Sequence, residues 1–207
     1  MPGSLVATRD LVRAQEVSDK FDAELWRVSQ TENDSPQPRM KVGTRKLQVL
    51  PDALIQPELR YLSIMSLELR ATLFATQGQM TEAKSLFSDA AREEKALGYH
   101  EPPNYIRPVG ETEGAAMMTA GDWAQAKDAY KRAVLERPKS GFALYGIAMC
   151  TENSGDGEAA AKEYKEFLAA WKDADPMLVQ MEHARKFVAE YKRHSASSPQ
   201  AGSDRGR

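Results

Sequence analysis

Two stretches decide the fold: Gly121–Pro138, GDWAQAKDAYKRAVLERP, and Gly155–Lys172, GDGEAAAKEYKEFLAAWK. They stand in register. Gly121 and Gly155, Ala126 and Ala160, and Tyr130 and Tyr164 are each separated by 34 residues. A fixed period of this length is the mark of a stacked repeat, each copy being one supersecondary unit. The residue types have physical reasons. Glycine ends a helix in the left-handed conformation without a Cβ penalty. A small alanine lets two helices approach closely, and an aromatic fills the gap to the next unit. Pro138 closes its copy. An earlier copy reads Gly78, Ala83, Phe87, Ala90, and its glycine lies 43 residues before Gly121. The nine surplus residues fall in the segment from Gly98 to Pro108, GYHEPPNYIRP.

Outward from these copies the text stays helical. From Glu58 to about Arg193 the breaks fall at Gly78, 100–108, Gly121, Pro138–Gly141 and Gly155–Gly157. Leu178, Met181, Ala184, Val188 and Tyr191 keep helical spacing, which suits a helix that covers the last apolar face of a repeat array. At the other end, Ala14, Val17, Phe21, Leu25 and Val28 predict one face of a leading amphipathic helix over 1–30. Residues 31–57 carry Asn33, Asp34, Pro36, Pro38, Gly43, Pro51 and Pro57 and predict a linker. The repeat domain is expected over 58–193 with an insertion at 99–108, followed by a Ser-, Gly- and Arg-rich disordered tail at 194–207.

Composition narrows the function classes. Of 207 residues, 42% are hydrophobic and 28% charged, and the net charge is −2, which argues against a general nucleic-acid binder. No apolar run approaches the ~20 residues that span a bilayer. The N-terminus turns charged within a few residues, unlike a secretion signal, and Cys150 is the single cysteine. Cytoplasmic residence is the expectation.

The 34-residue period with these residue types resembles the tetratricopeptide family. The expected fold is therefore all-α: a right-handed solenoid of about three helical hairpins with a leading and a capping helix. From Glu101 onward the text EPPNYIRPV (101–109), EGAAMMTAGDW (from Glu113), RPKSGFALYGIA (137–148) and AAWKDAD (169–175) resembles a group of bacterial and fungal tetratricopeptide proteins, most without assigned function. Against larger members of that group the chain has one leading helix and a polar loop upstream, as a short member or a truncated product would.

The resemblance also places a groove. If each turn glycine takes position 15 of its unit, positions 5, 9, 12 and 13 line the inner surface. These are Glu68, Thr72, Ala75 and Thr76, then Glu111, Ala115, Met118 and Thr119, then Tyr145, Met149, Glu152 and Asn153. Such a groove is acidic and thioether-rich. It disfavours a carboxylate tail and suits a basic or apolar helical segment. A solvated face fits the same carboxylates equally well. The insertion is the second candidate, with Glu101, Tyr105 and Arg107 at its edge. There the structural alternative has Tyr105 and Ile106 plugging the groove and Glu101 capping the next helix.

Signals for catalysis are missing. The three histidines, His100, His183 and His194, form no metal-ligand spacing. Cys150 sits on a helix where packing is the expected role. Gly155-Asp156-Gly157 lacks the Lys-Ser/Thr of a phosphate loop, and Glu111 and Glu113 point to different helical faces. The sequence thus predicts neither catalytic residues nor cofactor nor metal, but a non-catalytic module that binds a protein segment in the groove. The alternative is a small-molecule or catalytic accessory site at 99–108, in a homodimer. A further expectation is self-association through the leading helix, with Phe21 and Trp26.

Overall fold

The computed structural model describes residues 2–33, 52–98, 105 and 107–197. Among the described residues every regular element is an α-helix: α1 Pro2–Asn33, α2 Asp52–Thr76, α3 Met80–Ala96, α4 Val109–Thr119, α5 Trp123–Glu136, α6 Gly141–Asn153, α7 Gly157–Ala170 and α8 Val179–Ser197. The chain falls into two compact units, residues 1–116 and 117–207, whereas the repeat pattern drew 58–193 as one domain.

Each turn glycine of the repeat closes a helix in the same way. The peptide N–H of Gln79 donates to Phe74 O (2.9 Å), that of Asp122 to Met117 O (2.9 Å) and that of Asp156 to Thr151 O (3.3 Å). One residue earlier, Gly78, Gly121 and Gly155 donate to Ala75 O, Met118 O and Glu152 O at 3.0 Å. This is the Schellman pair of hydrogen bonds, which requires a left-handed residue at the glycine. The three glycines have φ of 78°, 79° and 86°. The residue after the glycine then starts the next helix. Asp122 Oδ1 accepts from Gln125 N (3.2 Å) and Asp156 Oδ1 from Ala159 N (3.0 Å), so one short dipeptide both ends and caps.

In the first unit α2 packs on α3 and α1 lies along α2. The covered side of α1 shares Ala14, Phe21 and Leu25 with the predicted apolar stripe, but not Val17 and Val28. Ser18 is fully buried, whereas Val17 and Val28 are exposed and Ala14, Phe21 and Leu25 half-buried. Polar pins hold α1 to α2: Ser66 Oγ donates to Asp22 Oδ1, and Arg70 pairs with Asp22 at 3.6 Å. Trp26 is left 67% exposed. Helix α2 begins six residues before Glu58 and runs through Pro57, correcting the expected linker boundary. A proline close to a helix start forgoes one ladder bond, which the rest of a long helix absorbs.

In the second unit α5 packs on α6, α6 on α7 and α7 on α8. Tyr164, Phe167, Met181, Ala148, Ala160 and Ala184 form a fully buried cluster, edged by Tyr145, Met149, Trp171 and Phe187. The small residues permit close helix approach, and Tyr130 lies directly over Gly146, where an added Cβ would be 2.5 Å from its ring. Helix α8 continues to Ser197, so the expected tail starts later than 194; residues 198–207, the rest of the tail, lie outside the described residues, as do 34–51 of the linker.

Candidate functional site

In the first unit the two sites expected separately, groove and insertion, come together. Tyr61, Met65, Glu68, Leu69 and Thr72 follow helical spacing along α2 and line one cavity of about 580 Å³ with Tyr105, Arg107 and Thr112. The Tyr105 hydroxyl donates to Glu68 Oε2. Glu68 is 8% exposed. Burial, followed by the hydrogen bond to Glu68, pushes the Tyr105 phenol well above its ordinary value, so this hydroxyl stays a donor at any physiological pH. Thr72 Oγ1 donates back to Glu68 O (2.8 Å) one turn earlier in α2, which satisfies the hydroxyl within the helix. The Val109 N–H at the start of α4 donates to Glu94 Oε2 (2.9 Å), so a side chain of α3 fixes the chain where the insertion rejoins the helices.

The other first-unit groove positions stand apart from this cavity. Thr76 is exposed and bonds Thr72 O (2.8 Å), and Ala75 is buried. Glu111 is buried in the first turn of α4, where its N–H donates to Pro108 O (2.9 Å). Ala115 is exposed. Glu101 lies outside the described residues.

A second polar cluster belongs to the second unit. Tyr145 Oη is 3.1 Å from His183 Nδ1, Tyr164 Oη donates to Glu152 Oε2 (2.5 Å), and His183 Nε2 lies 3.7 Å from Glu152 Oε1. The rings of Tyr145, Tyr164 and His183 meet edge-on or tilted at 5.5–5.9 Å. Burial raises both phenols, and for Tyr164 the bond to Glu152 adds to it. Tyr145 and Glu152 are thus engaged with side chains of α7 and α8. Met149 packs against the core, and exposed Asn153 bonds Met149 O (2.8 Å). Met118 is half-buried and Thr119 exposed.

No family model, no curated protein and no solved structure matches this chain.

Sequence reasoning missed the apolar wall of the cavity, Tyr61, Met65 and Leu69, although their spacing from Glu68 on one helix face was there to be read. Thr112 and His183 carried no such signal. Among the described residues no group of histidines, cysteines and carboxylates is placed to hold a metal ion. None of the helices is long and apolar enough to cross a membrane.

Cys150 is fully buried on α6, where helix-face packing put it. Burial pushes its thiol from 9.0 up to about 11, with Lys127 pulling down and Glu163 pushing up. As pH rises, the unfolded chain therefore loses this proton first, and stability falls between about 9 and about 11. Urea midpoints compared at either end of that window should drop less for Cys150→Ala than for the parent, by about 2 kcal/mol. Parallel pH profiles would remove the thiol as the cause.

Proposed function

We propose that this chain is a non-catalytic protein–protein interaction module, built from hairpins of the tetratricopeptide kind, and that it binds a basic and apolar protein segment. The observation that carries this is the first unit's cavity. Glu68 and Thr72 of the expected groove share it with Tyr105 and Arg107 of the insertion, against apolar walls from Tyr61, Met65 and Leu69. An apolar surface with a buried carboxylate favours a partner that brings methylenes and positive charge. Leu69 and Met65 are 37% and 50% exposed, so they are open to a partner and add little to the core.

An array of peptides graded in charge and hydropathy tests this reading. Basic-apolar peptides should bind the full chain, and Leu69→Asp should weaken the tightest of them by about 30-fold, as loss of an interface anchor does. Equal binding of acidic peptides, or affinity indifferent to Leu69→Asp, would overturn it. One observation favours the small-molecule alternative as well: the cavity's 580 Å³ lies within the usual range for compact ligands. Absence of any peptide hit, with thermal shifts by small amines instead, would select that alternative.

A further inference from the structure

Besides Ser18 Oγ on α1, two polar side-chain atoms of the first unit are shut off from solvent with no hydrogen-bond partner among the described residues: Glu68 Oε1 and Thr112 Oγ1. Their residues stand on different helices, α2 and α4, and line the same cavity. Tyr105 answers only the other carboxylate oxygen, Oε2. A buried carboxylate oxygen without a donor is costly, and a group that supplies one recovers that cost on binding.

We infer that this cavity is a pocket for a primary alkylammonium, the lysine side chain of a partner segment. Its N–H groups bond Glu68 Oε1 and Thr112 Oγ1, and its methylenes lie along Met65 and Leu69. The inference rests on reading the cavity as the recognition site.

Donor count selects the ammonium. Its three N–H groups match two free acceptors closely, whereas a guanidinium would bury up to five donors against the same two. A quaternary ammonium has no N–H to offer either atom. Charge agrees with this choice. Arg107 also lines the cavity, but it is exposed, so water and salt screen it, while Glu68 is 8% exposed and acts through a medium of lower dielectric. Because both acceptors are covered, entry moves a side chain aside. Half-exposed Met65, unbranched and flexible, yields at least cost.

The probe is n-pentylammonium, titrated into the full chain and followed by amide chemical shifts. Expected are saturable shifts at Thr72 and Thr112, a loss of about tenfold in affinity for Glu68→Gln, and a smaller loss for Thr112→Val. Glu68→Gln keeps the acceptor for Tyr105, so its fold is retained, and urea midpoints verify this. 1-Pentanol and pentyltrimethylammonium should bind at least tenfold more weakly than the primary amine. The inference is overturned if the alcohol or the quaternary amine binds as well, if Glu68→Gln changes nothing, or if no shifts appear. The two proposals fail separately. Peptide binding that needs Leu69 but ignores Glu68→Gln sinks the ammonium pocket alone. Amine binding that needs Glu68, in a chain that takes no peptide, keeps the pocket and sinks the interaction module.

Discussion

Tyr164→Ala should lower the unfolding free energy of the second unit by about 3–5 kcal/mol, read as a fall in its urea midpoint at unchanged slope. Tyr164 is fully buried, and its ring meets those of Tyr145, His183 and Phe187 at 5.8, 5.5 and 5.1 Å. Removing it leaves a cavity among α6, α7 and α8 that cannot close without disturbing the Tyr145–His183 hydrogen bond. It also takes the donor from Glu152. Tyr164→Phe separates these effects, since it keeps the ring and loses only the hydroxyl. Its expected cost is about 1 kcal/mol, because the Glu152 side chain is 28% exposed and water replaces the lost donor. Equal losses for the two variants would mean that the hydrogen bond, and not the packing, holds this core.

Gly141→Ala should cost about 3 kcal/mol, although alanine is the better helix former. A Cβ at Gly141 would stand 1.8 Å from the Trp171 indole. The indole cannot easily retreat. Its Nε1 donates to Lys139 O (3.0 Å), and its ring meets Phe142 at 5.4 Å and Phe167 at 5.8 Å. Gly155→Ala is the control. No atom lies within 4 Å of its added Cβ, and its φ of 86° leaves only the left-handed penalty of about 1–2 kcal/mol. In Gly141→Ala/Trp171→Leu the two costs should fall short of additive, since the leucine removes the clash. A Gly141→Ala midpoint no lower than that of Gly155→Ala would show that the indole swings away freely.

The turn glycines were legible because a Schellman closure admits few other residues, so Gly78, Gly121 and Gly155 announce themselves in any reading of the chain. The buried alanines and aromatics of the same period followed from them. Contacts between distant positions were not legible. Tyr105 and Glu68 are 37 residues apart and Tyr145 and His183 38, and each pair meets through packing that local spacing does not encode. The face of α1 was legible only in part, through Ala14, Phe21 and Leu25, for a related reason. Its apolar stripe was visible, but Asp22, which pins α1 beside it, acts through Ser66 and Arg70 on α2. The start of α2 was hidden because Pro57 reads as a breaker wherever it stands.

Lys127 Nζ donates to Thr151 Oγ1 and Glu163 Oε1 (2.8 Å), and Thr151 Oγ1 donates to Glu163 Oε2 (2.5 Å). One ammonium, one hydroxyl and one carboxylate thereby join α5, α6 and α7. Helices that each touch only their neighbours in sequence are prone to peel away one by one. A three-way clasp changes that statistics. Opening α7 strands the buried Thr151 of α6 and Lys127 of α5, so the cost of fraying one end is felt across the junction. The second unit is thereby biased toward melting in one step.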